Sequence, residues 1–309
     1  MSVAVATLSI GYMIKVPIRQ TLTQTFDFVF GRPLTLLRLT WVPALLSAGV
    51  GFVLDRNAIR YEAAGEGDPE SMGLYVLMGS VSLATALFLN AVAGVAVTRE
   101  VFAPGTATGL AYFPTGRTEW RLFLANLRLL FALVVLGAIA FTISALALVL
   151  AGVDISGAAP AVPTLATTFA GIVSMVAFVY VFVSAVRMGF FLPATIVRDP
   201  KGGLRRAHEL SVGNFSRMLV ILIVAVAPIL ALLVIGQAAL LVVFDGAAAL
   251  QQPRADLMRD LQATIQQHLI IWEIFGGLVF ILTAGMFYGA TAYAYQAIAA
   301  PDSSEVPPA

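Results

Sequence analysis

The feature that most constrains this chain is the apolar run that follows Arg217. The twenty residues from Met218 to Gln237 contain no charged side chain, and a helix needs about twenty apolar residues to cross the hydrocarbon core of a bilayer. Inside a membrane, every backbone N–H and C=O must find its partner within the protein, which a helix achieves by itself. The run therefore predicts a transmembrane helix.

Five further segments have the same character, and the composition agrees with them. Apolar residues make up 60% of the chain and charged residues only 11%, whereas about a quarter of the residues of soluble domains are charged. We predict an all-α integral membrane protein with six transmembrane helices arranged as three hairpins. The predicted spans are residues 34–54, 72–97, 122–151, 164–197, 217–244 and 269–298, in one domain (1–300) that ends in a disordered tail (301–309).

The distribution of lysine and arginine predicts the orientation. Beside the predicted spans, fourteen basic residues lie on the side of the N-terminus and four on the other side. Basic residues concentrate on the cytoplasmic side of membrane proteins. We therefore predict a multi-pass protein of the bacterial inner membrane with both termini in the cytoplasm. Residues 55–71 are predicted to form an acidic loop on the opposite side, and Pro253 to begin a helix that leads into the sixth span.

Amphipathic segments before the spans predict interfacial elbow helices on the cytoplasmic side. Residues 17–30 are too polar to span and suit a helix in the plane of the membrane surface, or equally one packed on the protein's own surface. The apolar residues at helical spacing in this segment are Ile18, Leu22, Phe26 and Val29. Residues 198–217 form a second elbow, with a basic cluster and a break at Gly213.

The elbows resemble one another. Aligning Gly31 with Gly213 places Asp27 over Glu209, and a weaker match surrounds Gly116. Two interpretations fit this pattern. The chain consists of three repeated units of elbow and hairpin, or each cytoplasmic entry into the membrane begins with glycine and arginine for ordinary reasons of helix termination and topology.

The second elbow carries a resemblance to a known family. The string from Arg206 to Arg217, RAHELSVGNFSR, resembles the sequence that introduces a span in the membrane domain of some bacterial glycerophosphodiester phosphodiesterases and of stand-alone bacterial membrane proteins. His208 stands where that family has an aromatic residue. The resemblance implies the same six-span membrane fold. Because the soluble catalytic domain of those enzymes has no counterpart in the sequence, we expect no hydrolytic activity.

The sequence offers no set of catalytic groups. It has no cysteine, and its two histidines, His208 and His268, are far apart, so neither a ligand set nor a pair of nucleophile and base can be assembled. Ion-coupled transport usually needs an ionisable group near the middle of the bilayer, and the predicted spans carry none there. We expect a protein that is not an enzyme, with no metal, no cofactor and no nucleic-acid partner.

Two candidate sites remain. A basic cluster attracts anionic lipid head groups, although topology alone also requires arginines at this place; its members are Arg187, Arg198, Lys201, Arg205, Arg206 and Arg217. Gly285 and Gly289 form a GxxxG pair for close helix packing, within the bundle or between subunits, with Gly94 as a small-residue partner.

The sequence favours a non-enzymatic accessory or membrane-organising protein that engages anionic lipids, partner membrane proteins or a second copy of itself. The alternative is a carrier or channel for a lipid or a small neutral solute. The two hypotheses differ in the interior that they require. A carrier needs an open or polar path to the middle of the membrane, whereas an accessory protein can be tightly packed with small residues.

Overall fold

The computed structural model describes residues 15–64, 69–105, 112–150, 165–199, 202–244 and 264–299, and within these ranges all regular structure is helical. The helices are α1 (Ile18–Gly31), α2 (Pro33–Ala64), α3 (Pro69–Phe102), α4 (Arg117–Leu150), α5 (Leu165–Gly189), α6 (Leu192–Arg198), α7 (Leu204–Ser211), α8 (Phe215–Phe244) and α9 (Leu269–Ala299). Residues 264–267 add a helical turn before α9.

Six helical stretches are long and apolar enough to cross a membrane, which confirms the prediction of an all-α, multi-pass membrane protein. They are Pro33–Asn57, Met72–Phe102, Arg117–Leu150, Thr167–Arg198, Phe215–Phe244 and Leu269–Ala299. Each coincides with one of the predicted spans. The predicted helix from Pro253 and the predicted tail fall outside the described residues, apart from the turn at 264–267.

The fourth span differs from the single helix predicted for residues 164–197. It consists of α5 and α6, with a turn at Phe190 and Phe191 between them. The cause is Pro193, which has no N–H to donate to the carbonyl of Gly189 and whose ring clashes with that carbonyl in a continuous helix. Phe191 resumes the pattern by accepting a hydrogen bond from the Thr195 N–H at 3.0 Å.

The predicted acidic loop at residues 55–71 is also largely helical. Helix α2 continues through Asp55 to Ala64, and α3 already begins at Pro69. Between Asp55 and Ala64 the sequence has no glycine or proline, so nothing stops the helix when it leaves the apolar segment. The polar composition of this segment did not indicate where the helix ends.

Helices α3 and α9 form the centre of the bundle. Helix α9 contacts α1, α2, α3, α6 and α8, and it packs more extensively on α2 than on α8. The central stretch of α3 is almost inaccessible, with at most 1% of the residue exposed at Ala91, Val92, Ala93, Val95, Ala96 and Val97. Small side chains allow helix backbones to approach closely. The interior at this level is therefore tightly packed.

Helices α4 and α5 form a hairpin at the periphery. They pack mainly on each other, and large apolar side chains such as Phe131, Phe141 and Phe178 lie on the outside. In water such a surface would be a liability. Around a membrane span it is the surface that lipid tails cover.

One end of the bundle gathers the basic residues, and we call it the basic end. There the guanidinium group of Arg198 lies 5.6 Å from the ring centroid of Phe102 at the end of α3. Arg217, near the start of α8, donates a hydrogen bond to the carbonyl of Val16 ahead of α1, at 2.8 Å. These contacts join α6 to the end of α3 and α8 to the entry of α1, while the short helix α7 packs on α5 and α6.

Candidate functional site

Helix α7 presents two faces at the basic end. Ala207 and Ser211, one turn apart, are completely buried, whereas Arg205 and Arg206 point outward. The helix stops before Gly213, whose φ of 75° lies in the left-handed region that glycine adopts without steric cost. The chain thereby turns from α7 into α8 and keeps the arginines on the outside.

Arg205 and Arg206 share one acidic partner. The Nε of Arg205 lies 3.1 Å from Oε1 of Glu209, and Nη1 of Arg206 lies 3.4 Å from Oε2 of the same residue. The side chains of Arg205 and Arg206 are 95% and 51% exposed. Hydrogen bonds from Arg205 and then from Arg206 lower the pKa of Glu209 below its ordinary value. The trio therefore carries a net single positive charge at neutral pH.

The other described arginines of the predicted lipid cluster contact the protein. Arg187 places its guanidinium group 5.6 Å from the ring centroid of Phe215, and Arg198 and Arg217 make the contacts given above. Cation–π contacts and hydrogen bonds of this kind fix an arginine in the bundle. Lys201 lies outside the described residues. The described members of the predicted cluster thus lie at one end. Arg198 is exposed there with its guanidinium group beside Phe102, and Arg205 and Arg206 are the exposed pair of α7.

Two residues of the string that resembles the phosphodiesterase membrane domain bind the backbone ahead of α1. Asn214, 4% exposed, accepts a hydrogen bond from the Val16 N–H at 3.0 Å through Oδ1, while Arg217 donates to the Val16 carbonyl. The side chains of Asn214 and Arg217 thus satisfy both the N–H and the C=O of Val16. Because unsatisfied buried backbone groups are costly, this pair of bonds fixes the entry to α1 on the start of α8.

A buried ion pair at this end was not predicted from the sequence. Glu119 is fully buried, and its Oε1 lies 2.8 Å from Nη1 of Arg99, while its Oε2 accepts a hydrogen bond from the Gly116 N–H at 3.0 Å. Gly116 immediately precedes α4, and Glu119 is three positions later. A glutamate that accepts a hydrogen bond from the backbone N–H of the residue before the helix forms half of a capping box. The spacing from Gly116 to Glu119 is therefore the feature of the sequence that could have predicted this contact.

Arg121 is a second residue whose role was not predicted. Its Nη2 donates to the carbonyl oxygens of Asp199 and Gly202, at 3.2 Å and 3.3 Å. These carbonyls belong to the connection between α6 and α7. Arg121 therefore ties α4 to the segment that positions α7, and its position beside a span gave no sign of a contact 78 residues away.

The face that α1 buries in the bundle combines threonines with apolar residues. The buried residues are Thr21, Thr25, Phe28 and Val29, so only Val29 of the predicted set lies on the buried face. Ile18, Leu22 and Phe26 pack at the edges of the core and remain partly exposed. The threonines face inward because they are small, and the Thr25 hydroxyl is satisfied by donating to the Thr21 carbonyl at 2.7 Å.

The glycines of α9 explain why α1 needs small residues there. A Cβ at Gly289 would lie 3.6 Å from Thr25 and 3.7 Å from Phe28, and a Cβ at Gly285 would lie 2.7 Å from Leu36. The GxxxG pair thus faces α1 and the start of α2. Gly94 of α3 approaches α9 at a different residue, since a Cβ there would come within 2.8 Å of the Tyr288 ring.

The two elbows differ in how they turn. Gly213 adopts a left-handed conformation, whereas the break between α1 and α2 lies at Arg32, with φ of −132° and ψ of 51°. Gly31 is the last residue of α1. The sequence alignment of Gly31 with Gly213 therefore joins two glycines with different backbone roles.

The site's chemistry is that of an exposed cationic surface on a rigid support. Guanidinium groups form charge-assisted hydrogen bonds with phosphates. Among the residues that the structure describes, no three His, Asp or Glu side chains lie together as a metal-binding group. His208 is exposed beside Glu209, and His268 stacks on Phe244 at a centroid distance of 3.6 Å.

Comparisons with family models, curated proteins and solved structures find no match for this chain.

Proposed function

We propose that this chain is a non-enzymatic accessory or membrane-organising protein of the bacterial inner membrane, with both termini in the cytoplasm. It engages anionic lipids, and through them or beside them partner membrane proteins, at its basic end. The observation that carries the proposal is α7, where Arg205 and Arg206 are exposed on a helix whose opposite face is buried. The resemblance to the phosphodiesterase membrane domain supports the same fold without the hydrolytic activity.

The support of α7 matters for lipid binding. Arg121 fixes the connection before α7, and Ala207 and Ser211 anchor the helix itself. The arginines therefore reach the membrane surface without an ordering cost for the backbone. A basic residue beside an anionic membrane surface contributes about 1 kcal/mol. Because Glu209 offsets one of the two charges, we expect about fivefold enrichment of anionic lipid beside α7.

A carrier or channel remains the competing hypothesis, and it has one observation in its favour. A recess of about 340 Å³ lies between α2 and α3 in the half of the bundle away from the basic end, and it is lined in part by Ser47 and Ser82. Its deepest described lining residue along α3 is Leu89, which is 2% exposed. After Asn90, which is partly exposed, the packed stretch from Ala91 to Val97 begins, which supports the accessory function.

The test is a comparison of two double variants with the wild type. Arg205→Gln/Arg206→Gln removes the two exposed arginines of α7. Arg19→Gln/Arg117→Gln removes two other exposed arginines that are predicted to lie on the same side of the membrane. Arg217 is left intact because it holds Val16. Each protein is extracted gently from its own membrane, and native mass spectrometry records the bound lipids and partner subunits together.

We expect the first variant to lose bound anionic lipid and the second to retain it. Equal lipid content in all three proteins would reduce the arginines of α7 to topology signals. Equal losses in both variants would mean that the charge of this end, and not α7, holds the lipid, which also contradicts the proposal.

A further inference from the structure

We infer that Asp55 on α2 and Glu273 on α9 are joined by one shared proton, so that the contact between these two helices weakens as pH rises. Both residues lie near the ends of their spans, opposite the basic end. In the proposed topology this side of the membrane faces away from the cytoplasm. The inference goes beyond the proposed function and uses no residue of α7, so the two proposals can fail independently.

Small residues bring α2 and α9 close together up to the carboxyl pair. A Cβ at Gly277 would lie 3.7 Å from the carbonyl oxygen of Ala44 and 3.9 Å from the Cβ of Ala48. One turn before Gly277, the carboxyl group of Glu273 lies against Gly51, where a Cβ would come within 2.5 Å and 3.0 Å of its two oxygens. The absence of a side chain at Gly51 therefore leaves room for this carboxyl group in the seam between the helices.

The partner of Glu273 is a second carboxyl group. Asp55 lies one turn after Gly51 on α2, its side chain is half-buried like that of Glu273, and the two carboxyl groups are hydrogen-bonded to each other. An ionised carboxylate only accepts hydrogen bonds, whereas a protonated carboxyl group also donates one. The bond therefore requires a proton, which belongs to the pair and not to either residue.

No described cation neutralises the pair. Besides Asp55 and Glu273, the charged or titratable side chains that the structure describes at this end of α2, α3, α8 and α9 are Arg56 and His268. These two line a separate groove, and His268 stacks on Phe244. Neither forms an ion pair with Asp55 or Glu273 within the described part of the chain. The shared proton is therefore what prevents two like charges from lying in contact.

The shared proton makes the seam between α2 and α9 sensitive to pH. While the proton is bound, the hydrogen bond adds to the packing of the two helices. As pH rises the proton is lost, and repulsion between the carboxylates drives Asp55 and Glu273 apart. Gly51 also lines the recess between α2 and α3. A displacement of α2 at this level therefore changes the shape of that recess.

Amide variants test the inference, because they remove the titration and keep a hydrogen-bond donor of similar size. Glu273→Gln does this from α9 and Asp55→Asn from α2, and Asp27→Asn is the matched control at an exposed carboxyl group of α1. The full chain is placed in phosphatidylcholine nanodiscs at about pH 5 and about pH 9, where exposed carboxyl groups are mostly ionised. Thermal unfolding gives the Tm, and infrared difference spectra record the carbonyl stretch of protonated carboxyl groups.

We expect the Tm of the wild type to fall from the lower to the higher pH by about 4–8 °C more than that of Glu273→Gln, because two charges in contact repel each other. Asp55→Asn should remove this fall as well, and Asp27→Asn should retain it. The wild type should show a protonated carboxyl band at the lower pH that is lost at the higher pH and is absent from Glu273→Gln.

Three outcomes would overturn the inference. Equal changes of Tm with pH in the wild type and both amide variants of the pair would mean that the pair does not titrate in this range. Absence of the pH-dependent infrared band would mean that a cation neutralises two carboxylates. A fall in Tm that Asp27→Asn also removes would assign the effect to the overall charge of the protein and not to the seam.

Discussion

The packing of α9 gives a prediction that can be worked out from distances. Gly285 and Gly289 are one turn apart on the same helix, and each is replaced by alanine in a separate variant. A Cβ at position 285 would lie 2.7 Å and 2.9 Å from the two methyl carbons of Leu36 and 3.0 Å from Val29. A Cβ at position 289 would lie 3.6 Å from Thr25 and 3.7 Å from Phe28, which is ordinary contact.

The difference between the two variants isolates packing. Alanine gains up to about 1 kcal/mol over glycine in a helix, and this gain is common to both. Carbon atoms prefer separations of about 3.5–4.0 Å, so the new methyl group at position 285 displaces Leu36 by roughly 1 Å. Leu36 and Val29 are each 2% exposed, so neighbouring atoms oppose this displacement. Overpacking of this kind costs about 1–3 kcal/mol, which is the expected deficit of Gly285→Ala relative to Gly289→Ala.

Thermal unfolding in one detergent, followed by tryptophan fluorescence, measures the deficit. A loss of about 1 kcal/mol lowers the Tm of a mid-sized domain by about 2–4 °C. In a Leu36→Ala background most of the added cost of Gly285→Ala should disappear, because the two closest methyl groups are gone and the 3.0 Å contact with Val29 remains. Equal Tm values for the two glycine variants, or a lower Tm for Gly289→Ala, would refute the assigned packing.

Two further predictions concern the acidic residues of the basic end. Glu119→Gln keeps an acceptor for the Gly116 N–H but leaves the half-buried Arg99 without its counter-charge, so we expect a loss of about 1–3 kcal/mol in thermal stability, partly recovered in Arg99→Gln/Glu119→Gln. Glu209→Gln frees the charge of Arg205, so flotation with phosphatidylglycerol vesicles should rise about fivefold at neutral pH. Because hydrogen bonds lower the pKa of Glu209, its ion pair stabilises α7 above the ordinary glutamate pKa and is lost as pH falls through the lowered value. The wild type should match the variant only below that pH, and a flotation series that is flat with pH would contradict this.

The membrane fold was predictable because the decisive property is local. The length and polarity of each apolar run are visible in the sequence, so all six spans were predicted at their positions. The errors in helix prediction occur where the polarity of a segment does not indicate whether it is helical. Residues 55–64 are polar yet continue α2, and residues 190–191 are apolar yet interrupt the fourth span, because Pro193 removes a hydrogen bond there.

The site was predictable in charge but not in role. The arginine cluster stands out in the sequence, yet Arg217 uses its charge on Val16, which is 201 residues away. Composition cannot reveal such a contact. The same limit applies to α1, where the apolar residues at helical spacing gave no sign that Thr21 and Thr25 are buried. The glycine surface of α9 instead accommodates Thr25, a contact that depends on two distant segments.

Lipid retention from a mixed bilayer shows whether the basic end gathers anionic lipid. The wild-type protein is placed in nanodiscs with equal amounts of phosphatidylglycerol and phosphatidylcholine, and native mass spectrometry counts each lipid that remains bound after the disc is released. We expect retained phosphatidylglycerol in about fivefold excess over phosphatidylcholine, because the trio on α7 carries one net positive charge. Retention of the two lipids in their bulk ratio would contradict it.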